Sequence, residues 1–193
     1  MSTNNAEFLL SKDASHALVA YLVDRYTQET TTPLGKAILH KLCYFAESIR
    51  VPLLLTFEIY HYGPFSQELC EIVENLSVDD VIIDWSMDTT SSNFQRGPNL
   101  EDLLADHADE LKRYKGALDN VAKTLSRLTA TEMELASTVS YVHKSSYLWN
   151  KRPPSRRKVV ASVYEIKKTK LNKNMVARVY DVLKNAGLLG FAK

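Results

Sequence analysis

Cysteine, glycine and proline are scarce in this chain, and the spacings that announce common catalytic chemistry are missing. Two cysteines among 193 residues are too few for a disulfide scaffold. Cys43 and Cys70 both fall in segments with helical periodicity, so they read as small buried thiols in a reducing compartment. No basic stretch followed by an apolar one opens the chain, so no leader peptide is expected. No apolar run approaches the roughly 18 residues of a membrane span. The expected location is the cytoplasm, away from membranes. There is no CxxC and no HExxH, so a metal site has no support from spacing. There is no P-loop, GxGxxG or GxSxG, which removes the usual support for nucleotide cofactors and for acyl transfer. His40 and Cys43 share a helix face, but a nucleophile also needs an oriented base and an oxyanion site. Glu68, Glu71 and Glu74 read as a solvated acidic face. The expectation is therefore no catalytic residue, no cofactor, no metal and no enzymatic activity.

Hydrophobic and charged fractions of 45% and 24% are ordinary for a globular protein. The net charge of +1 hides an asymmetry. Residues 1–140 hold 11 Lys or Arg against 21 Asp or Glu, whereas residues 141–193 hold 13 against 2. The two parts either neutralise each other by packing, or the basic end meets an acidic partner.

The stretch from Lys36 to Leu69 organises the reading. A helix over Pro33–Ile49, capped by Thr32, carries Leu34, Ile38, Leu42, Phe45 and Ile49 on one stripe. Leu53 to Tyr60 reads as extended. A bend at Tyr62-Gly63-Pro64-Phe65-Ser66 follows, and Ser66 caps a helix running to about Asn75. Before this stretch, residues 1–12 are expected to be flexible and residues 13–27 to form a helix with one apolar stripe. After it, VIIDW (81–85) and a return strand at Phe94 predict a hairpin. From Leu100 to Leu128, apolar positions alternate at spacings of four and three. That heptad predicts a single helix of about 43 Å, kinked at Gly116, which packs within the domain or forms a homodimer seam. Thr129 and Glu132 make a capping box. A helix to about Tyr147, a loop over 149–154, a helix over 156–167, and a last helix capped by Asn172 or Asn174 and closed by Gly187 complete the chain.

The fold class expected is mainly α: an α+β arrangement with a small strand or hairpin element, and a compact helical domain with winged-helix-like features. Residues 13–193 would form one domain, with a motif-bearing part at 13–98 and the long helix plus basic helices at 99–193. The tract Lys151, Arg152, Arg156, Arg157 and Lys158 is the strongest electrostatic feature. With Trp149 and Tyr147 beside it, it offers a nucleic-acid contact as the alternative to protein binding. The acidic helix QELCEIVENL after the bend would be repelled by DNA, which weighs against that alternative.

The run K-L-x-Y-F (Lys41, Leu42, Tyr44, Phe45), followed by Tyr60 and Tyr62-Gly63-Pro64-Phe65-Ser66, resembles the Panacea-domain family. That family groups SocA-type antitoxins with YwgA-type proteins of bacteria, archaea and phages. The likeness is firmest over residues 33–76, and a looser one reaches the chain's end. The chain departs from the family's pattern at Phe65 and in its regular 99–128 heptad. The resemblance implies a non-enzymatic role: binding and neutralising a cognate toxin encoded nearby, or acting as an adaptor. The partner-binding residues expected on this basis are Tyr60, Tyr62, Gly63, Pro64, Phe65 and Ser66.

Overall fold

The deepest helix is the first. In the computed structural model, which describes residues 8–60, 63–86, 91–167 and 172–190, with only the backbone at 59 and 60, α1 (Ala14–Glu29) buries every position from Ser15 to Asp24, and Tyr26. A helix that is covered on all sides is a core helix, not the one-striped surface helix the spacing predicts. Two of its buried polar side chains find partners, although His16 Nδ1 has none among the described residues. His16 Nε2 lies 3.3 Å from Asn75 Nδ2, and Asp24 accepts from Gln28 Nε2 at 2.7 Å.

α2 (Lys36–Ser48) starts three residues later than the Thr32-Pro33 signal suggests, with extended Gly35 as its N-cap. The reason is a bond from outside the segment: Phe94 N–H donates to Leu34 O at 2.9 Å and holds the chain extended there. At the far end Arg50 turns left-handed and Val51 N–H returns to Ala46 O at 3.1 Å, a helix-closing motif.

Only the end of the extended stretch is a strand. β1 (Glu58–Tyr60) pairs antiparallel with β2 (Gly63–Phe65), in the register Glu58 to Phe65, Ile59 to Pro64 and Tyr60 to Gly63. The Gly-Pro-Phe sequence is thus a strand, and the connection falls on His61 and Tyr62, which lie outside the described residues. Proline lacks an N–H, so Pro64 and Ile59 must be a non-hydrogen-bonded pair, where no rung of the ladder is lost.

Ser66 caps α3 (Gln67–Val78), its Oγ accepting from Leu69 N–H at 3.3 Å. The helix ends at Asp79, whose carboxylate accepts from the amides of Leu9, Leu10 and Ser11 at 3.1, 3.0 and 2.6 Å. Residues 9–11 are therefore tied down, contrary to the flexible start expected; residues 1–7 lie outside the described residues. β3 (Ile82–Asp84) and β4 (Phe94–Arg96) form the predicted hairpin. Behind it, a Cβ on Gly97 would stand 2.0 Å from Asp80 O. No larger residue fits there.

The predicted single helix over 99–128 is two helices. α4 (Leu100–Asp106) and α5 (Ala108–Leu125) break at His107, not at Gly116. Leu100 and Leu103 turn inward on α4, and Asp109 and Glu110 favour a fresh helix start beside His107. The seam residues Leu118, Val121 and Leu125 are buried in the chain's own core, where α5 packs on α1. Tyr21 Oη donates to Asp119 Oδ1 at 2.5 Å and accepts from Lys115 Nζ at 2.6 Å, and Arg25 Nε donates to the same carboxylate at 3.0 Å.

α6 (Ala130–Asn150), α7 (Arg156–Ile166) and α8 (Lys173–Asn185) pack on one another. Thr129 and Glu132 form the predicted capping box, and Asn172 caps α8. α6 runs three residues beyond Tyr147, so Trp149 is helical. Beyond α8, Leu188 N–H reaches back to Leu183 O at 2.8 Å and Gly187 N–H to Lys184 O at 3.1 Å, closing the helix as expected. The fold is mainly α, with two two-stranded antiparallel sheets among the described residues, around one connected core. Among the described residues no helix is long and apolar enough to cross a membrane.

Candidate functional site

Both halves of the KLxYF and GPFS motif meet between α2 and β2. His40 stacks on Phe65, with ring centroids 4.8 Å apart and planes 23° apart. Its Nδ1 accepts the Ser66 amide at 3.2 Å, and its Nε2 lies 3.9 Å from Cys70 Sγ. Nδ1 accepts only when unprotonated, and burial, followed by the charges of Lys41 and Lys36, pushes His40 down to about 4. Beside it, the stem of Lys41 lies under Gly63, with Cε 3.5 Å from the place a Cβ would take. Gly63 has a φ of 111°, a conformation that disfavours any side chain. Lys41 Nζ donates to Ala37 O at 3.0 Å, and burial lowers its basicity, with Glu134 opposing and Lys167 adding to the effect. Tyr44 is buried edge-on to Phe45 and Phe57, and its Oη lies 3.4 Å from Ser140 Oγ.

Among the residues expected to bind a partner, Pro64 and Ser66 are buried, and Gly63 and Phe65 are half-buried. Ser66 is engaged twice more, capping α3 and donating to Glu68 Oε2 at 2.7 Å. Tyr60 lies on β1, its side chain outside the description, and Tyr62 lies outside the described residues. The thiol beside the imidazole is Cys70 of α3, not Cys43. Cys43 is fully buried and its thiol pushed far up by burial. Cys70 is half-exposed, not buried as expected. Burial raises its thiol, Lys36 opposing, so a thiol faces a neutral ring and no thiolate–imidazolium pair forms. A depression of about 340 Å³, open solvent included, lies over this pair between Lys36, Val73 and Glu74. Among the described residues no group of three His, Cys, Asp or Glu is placed to hold a metal.

The basic tract runs from the end of α6 to the start of α7. Lys151 is the left-handed C-cap of α6. Arg156 makes a two-point pair with Asp181, Nε to Oδ1 at 2.7 Å and Nη2 to Oδ2 at 2.6 Å. Arg152, Arg157 and Lys158 are exposed. Two ion pairs join the basic end to the start of α6: Lys167 to Glu134 at 2.6 Å, and Arg178 to Glu132.

A second surface escaped the sequence reading. Residues 53–57 and the outer face of α6 wall a groove of about 690 Å³, open solvent included. Leu54, Tyr141, Leu148 and Trp149 stand in solvent there or beside it, Trp149 being 88% exposed. The available signal was the composition of α6, where apolar residues occupy both faces of the helix.

No family model matches the chain. A stretch of 112 residues, 56% of the chain, is 29% identical to the "Uncharacterized protein YwgA" of Bacillus subtilis (strain 168). The chain spans a little under two thirds of that protein, 64% of its length, and is similar to it over that part.

Proposed function

We propose that this chain is a non-enzymatic protein-interaction module of the Panacea-domain, antitoxin-like kind, which binds a toxin encoded nearby or serves as an adaptor. The single observation that carries the reading is the display of large apolar side chains at the end of α6, Trp149 at 88% and Leu148 at 51% exposure. Exposed aromatic anchors acquire their binding energy when a partner covers them. The motif region supports the same reading: His40, Lys41, Ser66 and Cys43 are engaged in packing and hydrogen bonds, with their charged forms disfavoured or their donors occupied. β2 and the cap Ser66 then serve as scaffold, and binding is assigned to the surface that α2 and α6 hold open.

The test is co-expression with the neighbouring gene. The expected result is that the neighbour arrests growth alone and that this chain restores it. A neighbour whose toxicity persists with the chain present would overturn the antitoxin reading.

A further inference from the structure

Among the described residues, four other than glycine have a left-handed backbone: Arg50, Leu54, Asp80 and Lys151. Arg50, Asp80 and Lys151 stand at or just past the ends of α2, α3 and α6, where that conformation ordinarily closes a helix. Leu54 does not. It is a bulky residue at φ 58° in the middle of an extended segment, and it is 79% exposed. Such a conformation persists only when the surroundings impose it. Here Glu47 imposes it. Its carboxylate accepts from Leu53 N–H at 3.1 Å and also draws on the amides of Leu54 and Leu55. Three successive amides wrap one carboxylate, a concave nest, and the wrapping turns the Leu54 side chain out into water.

The residue after that outward leucine, Leu55, lines the groove between residues 53–57 and α6. Phe57 lines the near wall, and Tyr141, Lys144 and Leu148 line the far one. Positions 141, 144, 145 and 148 fall on one helical face, and Trp149 follows Ser145 by one turn. Among the described residues of the lining the one acid is Glu47, near the end of α2, whose carboxylate is bound by the amides of Leu53, Leu54 and Leu55. The α6 wall belongs to a stretch, residues 135–164, that has no Asp or Glu and has six Lys or Arg. The groove is thus apolar inside, with Lys144 as the cation of its α6 wall; Lys144 also acts on the Glu47 carboxylate, whose lone pairs the three amides already engage. A nucleic-acid strand would ask for cations that track phosphates and for flat faces to stack on. Leucines and one lysine in the groove suit a peptide with apolar anchors and acidic flanks better.

We propose that this groove receives an acidic segment of a partner protein, one that sets leucine or aromatic side chains against Phe57, Tyr141 and Leu148 and its carboxylates toward Lys144. This rests on the protein-interaction reading above and names its surface.

Selection of a displayed library of random short peptides on the full-length chain tests it, with the variant Lys144→Glu/Leu148→Asp as counter-target and unchanged thermal unfolding as the fold control. The expected result is enrichment of peptides that interleave Asp or Glu with Leu, Phe or Trp, with affinity for the variant at least ~10-fold weaker. No enrichment, enrichment of basic or neutral peptides, or equal binding by the variant would overturn the proposal. Titration with oligothymidine provides the rival outcome: binding that the same variant abolishes would give the groove to nucleic acid and overturn it as well. Co-expression separates this proposal from the broader reading. If wild type and variant neutralise the neighbour equally, the groove assignment falls and the module stands. If wild type fails to neutralise but acidic peptides still require Lys144 and Leu148, the antitoxin reading falls and the groove stands.

Discussion

At the scale of a residue, His40 ties the motif together and makes it sensitive to acid. Its Nδ1 accepts the Ser66 amide and its ring lies on Phe65. In the unfolded chain the imidazole takes a proton near 6.5, in the folded chain near 4. Between those values the unfolded state holds the extra proton, so acid favours unfolding. The contribution of the ring is complete above pH 6.5 and is lost as the pH falls toward 4. From pH 7 to pH 5 that amounts to about 2 kcal/mol. The variant His40→Gln, which cannot titrate, is expected to lose about that much less stability over the same interval, measured by urea unfolding at the two pH values. Equal losses in both proteins would show that the ring is not held neutral. His16 and His143 are also lowered by burial, so part of the acid sensitivity remains in the variant. None of this was visible from sequence beyond the shared helix face of His40 and Cys43. The bonds that fix the ring come from Ser66 and Phe65, more than twenty positions away.

At the scale of an element, three caps were legible, whereas the Thr32 cap and the placements were not. Ser66, the Thr129–Glu132 box and Asn172 were readable because a cap is local chemistry, a side-chain oxygen three residues from an unpaired amide. The β3–β4 hairpin was readable for the same reason. The Gly63-Pro64 strand was misread as a bend because glycine and proline together usually mark one; pairing with β1 overrides that preference. The regular heptad concealed the break at His107, since the spacing of leucines does not reveal which of them the core will take. The carboxylate of Asp79 is the clearest long-range device. It sits at the end of α3 and holds three amides of the segment leading into α1. Burial raises the carboxyl, but the amides of Ser11, Leu10 and Leu9 outweigh burial and leave it below its ordinary value. Asp79→Ala is expected to cost about 2 kcal/mol, the scale of hydrogen bonds to a charged group. Hydrogen exchange would show the loss at Leu9, Leu10 and Ser11 first, with α5 still protected. Unchanged exchange at those three amides would mean that the carboxylate is not what holds them.

At the scale of the molecule, the contacts of α5 with α1 and α2 bind residues 99–193 to residues 13–98 through one core. A single calorimetric transition is expected, with van't Hoff and calorimetric enthalpies equal. Two resolved transitions would mean that the parts fold separately. The mainly α class was legible from periodicity alone. The groove was not, because its walls come from residues about ninety positions apart and only the fold brings them together. One feature of the surface also has an optical consequence. The chain has two tryptophans, and both stand largely in water, Trp85 at 65% and Trp149 at 88% exposure. Indole emission is therefore already red in the native protein and shifts little when the chain unfolds. A blue shift on mixing would report a molecule laid over an indole, so the native protein carries its own dye for a visitor at the end of α6.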